Sequence, residues 1–351
     1  MKINIICVLL IILFGCNKPN ESSVEITDVT WNVLDSIGFE SFDEDLLVPY
    51  PVSMFVTDSL LIIQDYQGGK AFFYALDRFK GVPVMTFANR GNGNEEVIST
   101  SINYLLSDAT DTVWIYDDTR KRLMEFNIRG REVILNNKQS IIDIETYSKG
   151  WVKDIYNIKD DVFFSMGYGG VFDNNRFLIS EGKKNTVCVK NPNMDKYLSE
   201  KDKLSDLFYG PSYFKVNKRN QKAAFGTYKG GLFQIFDLSK LPQKIVTDTT
   251  LLLCVPFEGT YDQREIRFGF EDIFVTDKYI YALYNGKNNA ENEYFAKGIL
   301  VFNWDGTPKI KLLSDIYLKC LCVDEKAKEI FAVGFNQEKS FFLVKAQFNI
   351  D

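Results

Sequence analysis

The chain contains no histidine. That absence excludes Ser-His-Asp and Cys-His nucleophilic catalysis and every histidine-ligated metal site. It also lacks a long apolar run. The longest, Ile3 to Phe14, is broken by Asn4, and a spanning helix needs about 20 apolar residues. Positive charge is not in excess: 41 basic residues stand against 47 acidic ones, a formal charge of −6, which argues against nucleic acid as a partner. Cysteine is sparse, with Cys188, Cys254, Cys320 and Cys322 the only ones after Cys16. Cys320 and Cys322 form "CLC". On a strand, residues two apart point the same way with parallel Cβ vectors, which suits small buried side chains better than a disulfide. A Cys188–Cys254 bridge is left open.

What the front of the chain does have is an address. Lys2, the short apolar run and "LFGC" ending at Cys16 form a charged start, a greasy middle and a small residue before a cut. Leu13, Gly15 and Cys16 look like the lipobox of bacterial lipoproteins, in which the chain is cut before the cysteine and acyl chains are attached to it. Two or more such chains give stable anchoring. Residues 1–15 are therefore expected to be a signal peptide, residues 16–23 a lipidated cysteine and polar tether, and residues 24–351 the folded domain. Loss of residues 1–15 removes Lys2 alone and makes the formal charge one unit more negative.

The remainder is 46% hydrophobic and 15% aromatic over the whole chain, enough to bury a large core. It also repeats. "SMFVTD", "NYLLSD", "DIYNIKD", "YFKVNK", "DIFVTD" and "CLCVDE" start at Ser53, Asn103, Asp154, Tyr213, Asp272 and Cys320. Each is followed by a polar turn and further runs of β-branched and aromatic residues, which read as strands. Four strands per unit predict an all-β fold, a six-bladed β-propeller of four-stranded blades. The last unit lacks a fourth strand, and the N-terminal segment "SVEITDVTWNVL" is expected to supply it and close the ring. One short helical insertion is predicted in "NMDKYLSEKDKLSDLFYGP", where Met194, Tyr197, Leu198, Leu204, Leu207 and Phe208 make a helical stripe.

The lipobox, the "ALDRFKGVPVMTF" strand pair and the following "NRGNGNEEVIS" loop resemble the TolB-like six-bladed propeller lipoproteins of Bacteroides-type bacteria. The family form of that loop reads closer to G-x-G-P-x-E-F. Here Asn94 stands where proline is expected and Val97 where an aromatic is expected. The resemblance spans most of the mature chain and implies place and shape; none of its motifs is catalytic.

In such a ring one face carries tight polar first-to-second turns and the other carries the long loops, and function concentrates on loops held by a rigid scaffold. The loop face is the candidate site. Tyr66, Tyr168, Tyr228 and Tyr284 recur there in Gly-rich hairpins, either as packing or as flat surfaces for a sugar or peptide. Arg90 and Glu95 lie in "RGNGNEE", which lacks the Lys-Ser/Thr of a phosphate loop and reads as a wide turn. Arg264 and Arg267 in "QREIR" are candidates to grip a carboxylate or sulfate, or are simply solvated. The first residue of each first strand should line the channel mouth, so Asn103, Asp154, Tyr213 and Asp272 are candidate channel ligands, with Ca²⁺ the cofactor candidate. Glu271 should point away by alternation.

The reading is a lipid-anchored envelope propeller on the outer membrane, periplasm-facing rather than on the cell surface. It acts as a non-catalytic binding or scaffold module. Its partners are the membrane, through Cys16, and a protein, peptide or glycan. The alternative is a Ca²⁺-dependent hydrolase or lyase at the channel mouth.

Overall fold

The computed structural model describes residues 24–31, 34–43, 48–66, 69–100, 105–106, 112–120, 122–129, 132–140, 151–159, 162–168, 175–182, 184–194, 197, 209, 212–257, 265–289, 295–336 and 340–350. Its described elements are strands. The first two, β1 (Leu34–Ile37) and β2 (Glu40–Asp43), are short. Four antiparallel meanders follow. The first holds β3 (Pro51–Val56), β4 (Leu60–Asp65), β5 (Ala71–Asp77) and β6 (Pro83–Asn89). The second holds β7 (Leu105–Leu106), β8 (Thr112–Asp117), β9 (Arg122–Arg129) and β10 (Glu132–Ser140). The third holds β11 (Trp151–Lys159), β12 (Val162–Tyr168), β13 (Asn175–Glu181) and β14 (Lys184–Lys190). The fourth holds β15 (Ser212–Asn217), β16 (Lys222–Thr227), β17 (Leu232–Asp237) and β18 (Val246–Leu252).

The last sheet has eight strands. It runs through β19 (Phe270–Val275), β20 (Tyr279–Tyr284), β21 (Ala296–Asn303), the 17-residue β22 (Pro308–Asp324), β23 (Glu329–Phe335) and β24 (Phe341–Gln347) to β2. The first half of β22 pairs with β21 and the second half, from Tyr317 onward, with β23. One strand therefore ends one meander and starts the next.

Burial explains why these runs are strands and where each sits. Every residue of β4, "LLIIQD", is buried, and β16 is buried from Ala223 onward. Such continuous apolar strands must be covered on both faces. The fourth strands, β14 and β18, are mostly half-exposed, as expected at an outer rim. Apolar clusters form between consecutive sheets. Phe55, Phe73, Phe87, Val113 and Phe126 join the first to the second, and Phe164, Phe177, Phe214 and Phe225 the third to the fourth. Met54, Leu61 and Ile63 of the first sheet pack on Cys320, Cys322 and Phe331 of the last. Cys320 and Cys322 are thus small core side chains, and Cys188 and Cys254 are free rather than bridged.

The N-terminal strand differs from expectation. The strand beside β24 is β2, registered Glu40 to Lys345 and Ser41 to Val344. It lies downstream of the predicted "SVEITDVTWNVL". Phe42 provides the reason, since it packs on Phe331 with ring centroids 6.0 Å apart. The earlier segment runs across other sheets: Val24 N–H donates to Asn193 O (3.1 Å), Thr27 N–H to Leu252 O (2.7 Å), and Trp31 meets Phe302 edge-on at 5.2 Å. β1 then lies parallel to residues 311–314 of β22. The predicted helical insertion falls at 193–211, of which most positions, including Leu198, Leu204, Leu207 and Phe208, lie outside the described residues.

Candidate functional site

The starts of the first strands converge, and four of them share one irregularity. Pro51 pairs with Asp65 and Ser53 with Gln64, leaving Val52 extra. In the same way Lys153 is extra before Asp154, Glu271 before Asp272, and Lys319 before Cys320. Each is a β-bulge, which inserts one residue and re-aims its neighbours. β15 has none. The bulge overturns the alternation argument about Glu271: it is buried together with Asp272 rather than pointing away. Its carboxylate meets the ammonium of Lys319, the bulge residue of the adjoining strand, at 3.4 Å.

This pair is the centre of the mouth. Glu271 is raised above the usual carboxylate range by burial, offset by Lys319 and Asn285. Burial works against the Lys319 charge, but Glu271, then Tyr50 and Cys320, outweigh it and hold the ammonium above its ordinary value. Tyr213 and Tyr228 face the same carboxylate, and burial followed by Glu271 pushes both phenols up. Local backbone geometry sets these positions. Asp65, fully buried, accepts from Tyr50 N–H (3.1 Å) and Gly69 N–H (3.0 Å) and so fixes Tyr50 at the rim. The strip Arg267–Gly269 bonds to the Tyr228 hairpin on one side, Gly269 N–H to Tyr228 O (2.7 Å). On the other it accepts Asn285 N–H at Gly269 O (2.8 Å). A Cβ on Gly269 would lie 1.5 Å from Gly230 O, so only glycine allows this approach.

Lys215, a buried lysine absent from the sequence expectations, interacts electrostatically with both predicted aspartates. Lys215 is buried; burial lowers its pKa, countered first by Asp272 and then by Asp154. Asp272 is raised to about 6 by burial, countered by Lys215 and by two backbone bonds. Its Oδ1 accepts Ile273 N–H (2.8 Å) and its Oδ2 Leu321 N–H (3.1 Å). Each oxygen keeps a second acceptor site, and the charges of Lys215 and Lys319 are what oppose a bound cation at Asp272. No group of three or more Cys, Asp or Glu that could hold a metal exists among the described residues. Asp154 and Tyr213 are buried nearby, and Asn103 lies outside the described residues. Lys215 was legible in principle, because it lies two residues after Tyr213 on one strand face.

The mouth opens onto aromatic rings. Phe295 and Phe335 lie 4.5 Å apart, Phe335 and Phe341 5.5 Å, Phe341 and Tyr50 6.5 Å, and Tyr50 and Tyr66 6.5 Å. Tyr50 is 39% exposed and Tyr66 45%. Lys319 Nζ is 5.3 Å from the Phe295 centroid, linking this shelf to the ion pair.

Of the recurrent tyrosines whose side chains are described, Tyr66 belongs to the shelf. Tyr228 packs on Phe268, while Tyr284 packs on Phe270 and donates to Cys254 Sγ at 3.4 Å, so both are largely seam packing. The side chain of Tyr168 and all of Arg264 and Cys16 lie outside the described residues. Arg267 is exposed, with its backbone bonded to Pro256. Arg90 stacks over Phe72 at 3.9 Å and donates to Tyr66 O at 2.6 Å. Glu95 is exposed, whereas Glu96 turns inward to accept Gly93 N–H at 2.7 Å. Arg120 and Arg122 donate to carbonyls of Gly93, Asn94 and Glu96. The loop therefore presents carbonyls to arginines and is a wide turn, with Val97 buried beneath it.

The architecture recurs in solved structures. A member of the DUF4221 family from Bacteroides vulgatus is 13% identical, with a TM-score of 0.57 over 90% of this chain and 99% of that one. A Bacteroides fragilis protein named as exported is 10% identical, with a TM-score of 0.52 over 90% and 99%. A luciferin-regenerating enzyme reaches 0.52 at 7% identity, over 88% and 95%. These similarities establish the fold alone. No functionally curated protein matches the chain. The model of one family, TolB-like 6-blade propeller-like, matches residues 37–326, and the chain belongs to that family.

Proposed function

We propose that the chain is a non-catalytic binding module of the bacterial envelope, a six-bladed propeller held to the outer membrane through a lipidated Cys16. The observation that carries the binding reading is the loop-face mouth, where half-exposed Tyr50 and Tyr66 continue into a buried Lys319–Glu271 pair. Polar groups at the end of an aromatic surface are what orient a small ligand. A six-blade count is supported by the split pairing of β22, which divides the long sheet into two four-stranded halves once β2 is included. Ring closure is supported by the cluster between the first sheet and the last and by Arg78, which bridges them through Asp324 (2.6 Å) and Glu329 (2.9 Å). The anchor rests on the lipobox, and a periplasm-facing orientation on the tether "NKPNESS", which has one acidic residue, Glu21, and no acidic run.

The anchor is tested by metabolic labelling with an alkyne fatty acid: label and membrane fractionation should both be lost in Cys16→Ser. Protease shaving of intact cells that cleaved the protein without lysis would overturn the periplasmic orientation. The binding reading is tested by Tyr50→Ala and Tyr66→Ala, which should abolish ligand capture while leaving thermal unfolding in place. The calcium enzyme alternative has no observation in its favour. A Ca²⁺-dependent rise in Tm that disappears in Asp272→Asn would restore it.

A further inference from the structure

The shelf and the ion pair narrow the ligand class. We infer, resting on the binding reading above, that the loop-face mouth takes a neutral saccharide. Three observations converge on this.

Lys319 carries the accessible end of the pair: its side chain is 10% exposed and that of Glu271 1%. An ammonium has three donors. One is directed at Glu271 Oε2, so the others can serve a ligand while the neighbouring carboxylate cancels the net charge. A carboxylate or phosphate ligand would meet no excess positive charge from the pair itself, and a cationic ligand would meet the ammonium first. Sugar hydroxyl oxygens accept from such donors and require no net charge at the site. The guanidinium of Arg90, beside the shelf, is directed at Tyr66 O and the Phe72 ring.

Tyr50 is placed to join two kinds of contact. Its ring spans Tyr66 and Phe341 on the shelf, while Lys319 and Tyr228 both register its phenol electrostatically at the mouth. A ligand lying on it would stack an apolar face and hydrogen-bond along one edge, which is the division of surface a pyranose ring presents.

A peptide bound as an added strand would want an open sheet edge, which the shelf does not offer. Extended peptides gain affinity by adding to an open sheet edge. The strand next to the shelf, β24, has β23 on one side and β2 on the other. The rings themselves stand at strand ends and hairpins, where no ladder can be extended.

The test uses the full chain in detergent micelles. It is presented to an array of neutral hexose and pentose oligosaccharides, their uronate and sulfated counterparts, and random peptides. The expected result is capture of at least one neutral oligosaccharide, at least tenfold weaker for its uronate counterpart. Binding should fall at least tenfold in Tyr50→Ala and in Tyr66→Ala, with both Tm values close to wild type. Should Tyr50→Ala fail to fold, the exposed Tyr66 decides. Capture of no oligosaccharide, preference for the uronate or sulfated forms, or saccharide binding unchanged in both variants would overturn the inference. Peptide capture lost in the same variants would overturn the saccharide assignment and leave the binding face standing. No shelf-dependent capture of either class would remove both.

Discussion

The two faces of this propeller are built from the two ends of the same strands, yet they are finished differently. On the turn face, short polar turns lock to their neighbours. Asn217 donates to Thr276 O (2.8 Å), Asn220 to Asp277 O (2.6 Å), and Arg219 pairs with Asp277. Thr276 and Tyr281 reach Glu325 in the turn after β22, and Trp304 Nε1–H donates to Thr276 O. Arg78, buried, ties the first sheet to the last. On the loop face, the comparable positions hold partly exposed aromatic rings, Tyr50 and Tyr66 the most open, and one buried ion pair. Polar groups that satisfy one another across sheets stabilise a ring. Rings left half-covered keep contact area available for something else.

Four substitutions sharpen or break this contrast. The largest effect is expected between the faces, at Lys215→Met, which leaves Asp154 and Asp272 without their buried cation and should cost about 3–5 kcal/mol at pH 8. Asp272 already titrates above its unfolded value, at about 6. The folded state therefore holds more protons than the unfolded state from about pH 4 to 6, and stability falls as pH rises through that window. Removing Lys215 pushes this carboxyl higher, so the deficit should shrink on going from pH 8 to pH 5.5, as read by urea denaturation. A deficit independent of pH would mean that the lysine contributes packing alone.

Arg78→Ala should cost about 2–3 kcal/mol, less because Asp324 and Glu329 retain some solvent. Burial opposes the Asp324 charge, but backbone amides and Arg78 outweigh it and hold the carboxyl below its ordinary value. Its contribution is present above the unfolded pKa and lost as pH falls through the folded one. The difference between wild type and variant should therefore fade below about pH 4, and ligand capture should not change.

Tyr50→Ala should reverse the balance, costing less than about 1 kcal/mol while removing binding. A large loss of stability with binding retained would make the shelf a structural element like the turn face. Phe79 is 69% exposed on the turn face. Phe79→Ser should move stability by no more than about 0.5 kcal/mol and leave binding untouched, because a lone exposed apolar residue needs no partner.

Much of the scaffold was legible along the chain. The strand runs that contain Ser53, Asp154, Tyr213, Asp272 and Cys320, though not their exact first residues, and the core role of Cys320 and Cys322 follow from period-two patterning between turn signals. The site was less legible. Strict alternation turns Glu271 away from the channel, and it fails because a bulge adds one residue at that point. The recurrence of tyrosine in Gly-rich hairpins suggests four equivalent positions. Neighbouring loops instead cover Tyr228 and Tyr284 and leave Tyr66 open. Nothing local distinguishes the three.

The sequence by itself determined the strands, the meander and the outward or inward preference of most side chains, because backbone pleating and burial act over a few residues. It also determined which chemistries are impossible without histidine. Only the tertiary structure decided that Lys319 meets Glu271, that Lys215 shares its field with two aspartates, and that Tyr50 joins Phe341 from the far end of the chain. Those meetings depend on bulges that shift register by one residue and on contact between the first and last sheets. A local pattern carries no information about either.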